Sequence, residues 1–382
     1  MNIKCNSFEE FRNNIESYNK SIVMFGSGVI GRITAVNILS ELRLLDRIDC
    51  YVDNDQRRWG NTVDIRGRDI LIKSPEYLYE CTNNTVILIN ISRYSSVLQL
   101  LEAMDCTRKM DCYFMGMMCI HNLCSAVSDG EPTITDAPLI PKKLHYMWLG
   151  GNSIPNNLKR CIDSWRKFCP EYEIVEWNEN NYDIGKHPYM TQAYKEKAYG
   201  FIPDYARLDI LYNEGGFYLD TDVELKRSID DLCYQEAFCG VEKWQVVNFG
   251  GLSGAIKGHP MIKKFLDARK DVFFLDPEGN QNRNTCGYYD TQVIIDEGYK
   301  INGKTQYIKG MNIYAYDYFH PYDYMSGIVN ETEHLHSIHW FNGGWLDEIM
   351  KKANEDARVE YEALYQKALG KNELVISKRS LS

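Results

Sequence analysis

Two carboxylates, Asp220 and Asp222, stand one residue apart directly after the run Phe217-Tyr-Leu219. A third carboxylate and a guanidinium, Asp204 and Arg207, precede them. Side chains of these types suit a hard divalent cation facing a diphosphate. Bare carboxylates would repel a diphosphate. Mg²⁺ or Mn²⁺ reverses that sign and bridges oxygens from both sides. Such a cation also stabilises the charge that builds on a leaving diphosphate. Asp204 and Arg207 are three residues apart, so on a helix they share a face. A carboxylate beside a guanidinium there can take sugar hydroxyls or hold a charged group in place.

The elements that must position these groups can be read around them. Phe201–Glu214 has a helical pattern, Gly215-Gly216 breaks it, and a short apolar strand then leads to Asp220. Side chains alternate along a strand, so Asp220 and Asp222 are expected on one face and Thr221 on the other. An Asp-x-Asp alone is common on protein surfaces, and its surroundings distinguish this one.

Upstream, Ile140-Pro-Lys-Lys-Leu-His-Tyr-Met-Trp-Leu-Gly-Gly151 reads as an apolar strand ending in an aromatic and a glycine turn, followed by Ile154-Pro155. This places Trp148 at a strand tip where a nucleobase could stack, and the glycines let backbone approach a ligand. A core tryptophan is the alternative. Ser164–Asn178 reads as helix, turn and strand. Downstream, Val246–Pro260 opens with Asn248, continues in small residues and ends in Gly-His-Pro. The last segment is Ser337-Ile-His-Trp-Phe-Asn-Gly-Gly-Trp345. A glycine-flanked aromatic loop of this kind suits a lid that excludes water.

Together these segments, from about residue 140 to about residue 345, resemble the DXD-containing sugar-binding-region glycosyltransferases of bacterial capsule and cell-surface polysaccharide synthesis. They are more distantly similar to the glucosyltransferase domains of the large clostridial toxins. The resemblance implies a GT-A-like α/β nucleotide-diphospho-sugar transferase domain that moves a hexose from a UDP-sugar to a glycan or lipid-linked glycan acceptor with retention of configuration. It implies that Asp220 and Asp222 bind Mn²⁺ or Mg²⁺ and the diphosphate, and that Asp204 and Arg207 hold the donor sugar. Trp148 would stack on uracil. Asn248 would touch donor sugar or acceptor, or else satisfy a loop backbone. His339 would reach diphosphate or metal, with Trp340 and Trp345 completing the pocket. Two departures stand out. Gly344 occupies a position where relatives have Ser, and Thr285-Cys-Gly-Tyr288 replaces a common Thr-Gly-Pro. No enzymic nucleophile is visible, which favours a front-face route.

The first third of the chain is separate. Ser21–Phe25 is an apolar strand running into Gly26-Ser-Gly28-Val-Ile-Gly31, and a second strand ends at Asp53. That spacing matches the dinucleotide fingerprint: Gly26 for the turn, Gly28 for phosphate approach, Gly31 for helix–strand packing and Asp53 for a ribose. Val86–Asn90 looks like a third strand. The expectation is half a Rossmann fold that binds a nucleotide or dinucleotide, or serves as a structural or docking module, since fold alone does not license function.

The expected organisation is a Rossmann-like domain over 1–127, a linker rich in turn residues over 128–139, the transferase domain over 140–345 and a helical tail over 346–382. For the tail's apolar stripe, core packing is the first reading and a homo-oligomer contact the second. The net charge of −10 argues against broad nucleic-acid binding. The 12 cysteines include no CxxC pair, no signal peptide opens the chain, and the uncharged run between Asp111 and Asp129 is too short to span a bilayer. A cytoplasmic protein is expected, resting near the inner face of a membrane through partners. Rival readings are a nucleotide-dependent oxidoreductase or epimerase, for which no Tyr-x-x-x-Lys pair is found near the glycines, and a non-catalytic nucleotide-sugar-binding protein.

Overall fold

The computed structural model describes residues 2–4, 7–92, 94–124, 127–324 and 327–343, together with 352, 377 and 378. Trp345 and nearly all of the expected helical tail lie outside the described residues. Those described fall into two units, one of residues 2–124 with 243–245 and one of residues 127–242 with 246–343. No helix among them is long and apolar enough to cross a membrane.

The first unit is built on a seven-stranded sheet. In chain order it runs β1 (Asn2–Lys4), α1 (Phe8–Ser17), β2 (Ser21–Phe25), α2 (Ala35–Glu41), β3 (Ile48–Val52), β4 (Thr62–Ile65), β5 (Arg68–Lys73), β6 (Thr85–Ile89), α3 (Ser95–Ala103), β7 (Asp111–Phe114) and α4 (Met115–Leu123). The strand order is β1-β7-β6-β2-β3-β5-β4, parallel except for β4. Ile22–Phe25 and Val86–Ile89 are buried throughout, as parallel strands covered on both faces must be. The sequence pointed to three strands, and the sheet has seven. β1 is only three residues long, β4 alternates apolar with polar residues, and in β5 only Ile70–Ile72 separate the charged ends, so none has the apolar run of β2 or β6.

The glycine turn after β2 has internal reasons for its glycines. Gly26 has φ +101° and donates from its N to the Val52 carbonyl at 2.8 Å. A Cβ on Gly31 would lie 2.2 Å from the Gly26 carbonyl oxygen, whereas one on Gly28 would meet open space. Asp53 does stand at the end of β3, but its carboxylate is taken. Oδ2 accepts from Ser27 N at 2.9 Å and Ser27 Oγ at 2.6 Å, with Arg58 Nη1 at 3.4 Å. Oδ1 accepts from Asp55 N at 3.0 Å. Asp53 closes the glycine turn instead of standing open to a ribose.

The second unit contains β8 (Lys143–Met147), α5 (Asn156–Phe168), β9 (Glu173–Trp177), α6 (Pro188–Lys195), α7 (Pro203–Glu214), β10 (Gly216–Tyr218), β11 (Val223–Leu225), β12 (Ala237–Val241), β13 (Val247–Asn248), β14 (Ser253–Ala255), α8 (Pro260–Ala268), α9 (Cys286–Asp296), β15 (Gln306–Ile308), β16 (Met311–Tyr314), α10 (Tyr316–Phe319), β17 (Tyr322–Asp323), β18 (Ile328–Val329) and β19 (Ser337–His339). Its main sheet is mixed, in the order β15-β16-β12-β14-β10-β8-β9, with β13 on β12. Trp165, Phe217, Phe238 and Phe319 are fully buried in its core. The segment expected as a linker, residues 128–139, makes hydrogen bonds to this unit. Ser128 Oγ donates to Asp317 Oδ1 at 2.6 Å, Thr133 N to Asn312 Oδ1 at 2.9 Å and Leu139 N to the Cys233 carbonyl at 2.8 Å.

Two local features aim the site. Pro203 opens α7, where its missing N–H is harmless. Gly215 and Gly216 end the helix with φ +70° and +95°, which turns the chain at once into β10.

Candidate active site

β10 stops at Tyr218 and β11 begins at Val223, so Asp220-Thr221-Asp222 is not a strand. It is a turn, closed by Val223 N donating to the Asp220 carbonyl at 3.1 Å. The expected alternation therefore plays no part, and the turn itself brings both carboxylates together. Neighbouring backbone fixes it. Asp220 N donates to the Gly250 carbonyl at 2.8 Å, and Trp340 N to the Asp222 carbonyl at 3.1 Å. Asn342 N donates to Asp222 Oδ2 at 2.7 Å.

β11 pairs with β19 in antiparallel fashion, Val223 opposite His339 and Leu225 opposite Ser337. That register carries the His339 imidazole to Asp222, with Nε2 3.3 Å from Oδ1. Ligand atoms of Asp220, Asp222 and His339 all lie within 4.8 Å of one another, the one group of its kind among the described residues. Burial works to raise the Asp222 carboxyl, yet His339 beside it and the Asn342 N–H hold it below the ordinary range. Burial likewise disfavours charge on His339, but Asp222 outweighs it and keeps the imidazole above its ordinary 6.5. The far nitrogen of His339, Nδ1, is buried and has no hydrogen-bond partner.

Arg207 and Asp204 lie one turn apart on α7, both buried. The guanidinium is committed to the carboxylate turn. Nη2 lies 3.3 and 3.4 Å from the two Asp220 oxygens and 3.2 Å from Asp204 Oδ1, while Nη1 reaches Cys286 Sγ at 3.7 Å. Burial pushes the Asp204 carboxyl up to about 6, against the lowering pull of Arg207 and Arg269. Arg207 thus ties α7 to Asp220, with Asp204 as its counterion.

Trp148 follows β8 directly. It is half-buried, leans on the main core and donates from Nε1 to the Asn152 carbonyl at 2.6 Å. Asn248 is buried, and its Oδ1 accepts from Gly250 N at 2.8 Å, which shapes the turn that grips Asp220. A Cβ on Gly250 would lie 2.1 Å from Asp220 Oδ2. Trp340 is buried against Tyr322 and donates from Nε1 to Glu224 Oε2 at 3.0 Å, so it forms a wall of the unit. Trp345 lies outside the described residues.

Three participants were not found from the sequence. Phe341 takes a left-handed φ of +48° and stacks on His339, with ring centroids 4.1 Å apart. His320 lies behind His339, with ring centroids 5.4 Å apart. Gly251 makes room for the His320 ring. A lone histidine in Tyr318-Phe-His-Pro321 carries no spacing signal that could have singled it out.

Residues 155–239 match the family described as a glycosyltransferase sugar-binding region containing a DXD motif. The matched span includes Asp204, Arg207, Asp220 and Asp222, while Trp148, Asn248 and His339 fall outside it. The chain is 31% identical over 131 residues to inositol phosphoceramide mannosyltransferase 3 of Schizosaccharomyces pombe, covering 32% of this chain and 35% of that protein. It is 23% identical over 232 residues to subversion of eukaryotic traffic protein A of Legionella pneumophila, covering 53% and 34% respectively. An uncharacterized glycosyltransferase, L373 of Acanthamoeba polyphaga mimivirus, is 26% identical over 159 residues, covering 39% of this chain and 62% of its own length. The chain therefore spans less than two thirds of each of these relatives. Among solved structures, a PaToxG glycosyltransferase aligns with 54% of this chain and 79% of its own at 16% identity and a TM-score of 0.35.

Proposed function

We propose that this protein is a metal-dependent, retaining glycosyltransferase that moves a hexose from a UDP-sugar to a hydroxyl of a glycan or lipid-linked glycan acceptor, in the synthesis of a cell-surface or capsular polysaccharide. The observation that carries the reading is the grouping of Asp220, Asp222 and His339 within 4.8 Å, in a chain whose residues 155–239 match a sugar-binding glycosyltransferase family. Two carboxylates and an imidazole are a donor set that fits a small divalent cation, and the nitrogen favours Mn²⁺ over Mg²⁺. Such a cation, when bound, offsets the charge of a departing diphosphate.

The chain's own groups have distinct tasks in this reading. Trp148 stacks on the nucleobase and Asn248 holds the turn at the sugar. Arg207 fixes Asp220 and, with Asp204, faces the sugar hydroxyls. Asp220, Asp222 and His339 would hold the cation, and the backbone after Trp340 caps the Asp222 carboxylate. The departing diphosphate takes the acceptor proton on the same face that the acceptor attacks.

The test is a proton NMR assay of donor turnover with UDP-glucose, UDP-galactose and UDP-N-acetylglucosamine, each with and without Mn²⁺. A mannose-bearing nucleotide joins the panel because the Schizosaccharomyces pombe relative is named a mannosyltransferase. Mn²⁺-dependent turnover that keeps the anomeric configuration and is lost in Asp222→Asn is expected. An inverted product, or equal turnover in Asp222→Asn, would overturn the assignment.

A further inference from the structure

His320, just past α10, is 1% exposed, yet neither of its ring nitrogens has a hydrogen-bond partner. The Asn248 carbonyl favours a proton on this ring without reaching hydrogen-bonding geometry. Backbone has been cleared to admit the ring. A Cβ on Gly251 would lie 1.9 Å from its Cε1, and one on Gly240 would lie 3.2 Å from its Cδ2. A purely apolar filler would serve packing better, because a buried polar atom left unpaired loses its hydration without compensation.

The neighbour gives the nitrogen a use. His339 directs Nε2 at Asp222 and leaves Nδ1 buried without a partner, and the two imidazoles are adjacent, 5.4 Å between centroids. Phe341 stacks on His339, also within ring contact of His320, and offers no acceptor. A histidine that ligates a cation through one nitrogen carries its proton on the other, and that N–H needs an acceptor. A neutral imidazole has one acceptor nitrogen and one donor.

We propose that His320 is the positioning residue for His339: directly or across one buried water, it accepts the Nδ1 proton of His339 and so holds Nε2 unprotonated toward a divalent cation between Asp220 and Asp222. The inference rests on the metal-dependent reading above. It assigns His320 no contact with donor or acceptor.

The experiment uses the full chain and Mn²⁺ alone, read by calorimetry or electron paramagnetic resonance, with His320→Phe, His320→Gln and Asp222→Asn. His320→Phe is expected to weaken Mn²⁺ binding about 10- to 100-fold, with His320→Gln recovering part of it. Metal-free melting curves of each variant confirm that the affinity is read on folded protein. Nitrogen-15 shifts of wild-type protein loaded with diamagnetic Mg²⁺ should show His339 protonated at Nδ1 and a hydrogen-bond-accepting ring nitrogen on His320. Mn²⁺ affinity within about twofold of wild type in His320→Phe, alongside a loss in Asp222→Asn, would overturn the role. Should His320→Phe fail to fold, a His320 with no accepting ring nitrogen in the Mg²⁺-loaded wild type does the same. Unchanged affinity in Asp222→Asn would instead sink the metal reading beneath it.

Discussion

His339 stands opposite Val223 across the β11–β19 pair, and its Nε2 comes within 3.3 Å of Oδ1 of the adjacent Asp222. The pair competes with a cation for the same atoms. With the imidazole held above its ordinary 6.5, a cation must displace a proton from His339 at lower pH. Mn²⁺ affinity should therefore rise with pH, by roughly tenfold per unit below the His339 pKa, and then level off. For metal-free protein the sign is opposite. A raised folded pKa contributes stability that is fully present below about 6.5 and lost as pH rises through the folded value. Calorimetric Mn²⁺ titrations and metal-free melts across this range check both limbs, and a pH-independent affinity would remove His339 from the ligand set.

Arg207 is buried between Asp204 and Asp220. Removing the guanidinium leaves two carboxylates facing each other in a poorly hydrated place. Arg207→Leu should destabilise the metal-free protein by about 3–5 kcal/mol in denaturant unfolding. Arg207→Lys should lose less, because the charge remains and only the forked contact is gone. A loss below about 1 kcal/mol for Arg207→Leu would show that the ion pairs add little there.

Asp204 has a carboxyl pushed up to about 6 by burial. Its folded pKa lies above the unfolded value, so the stability it contributes is present below about 4 and lost as pH rises through about 6. Asp204→Asn cannot titrate and escapes that loss. Between about pH 4 and pH 7 the stability difference should move toward the Asn variant by on the order of 2–3 kcal/mol. Parallel unfolding curves at the two pH values decide it, and a constant difference would contradict the raised pKa.

Gly251 has no room for a methyl group while His320 keeps its place. Gly251→Ala should cost about 1–3 kcal/mol through overpacking. In Gly251→Ala with His320→Ala the penalties should not add, because the second change empties the space the first one needs. Additive melting-temperature changes would mean that the ring and the glycine are energetically independent.

The residues with chemistry were legible where sequence neighbours become spatial neighbours. Asp204 and Arg207 share a helix face because they are three apart, and Gly215-Gly216 announces the turn that follows. The strand placement of Asp220 and Asp222 did not hold, since β10 is only three residues long and the chain turns immediately after Leu219. Short edge strands such as β1, and β4 with its alternating polar residues, lack the apolar run that betrays β2 or β6. Asp53 appeared at the right spacing, yet spacing cannot reveal that Ser27 and Arg58 already occupy its oxygens. His320 and Phe341 escaped notice because their roles depend on packing between distant segments and on a left-handed backbone angle, neither of which leaves a local pattern.

The ladder that joins β11 to β19 also dictates when the site can exist. Asp222 and Asn342, linked by a hydrogen bond, are 120 residues apart in sequence. While the protein is being synthesised, a nascent chain that stops short of Ser337 but extends past Asp222 already holds Arg207 and both carboxylates but lacks His339, and β11 has no β19 to pair with. Long-range pairing of this kind comes late, because the intervening loop must close first. Bringing all three groups together therefore waits until His339 has been made, and the emerging polypeptide exposes an unpaired strand edge until then.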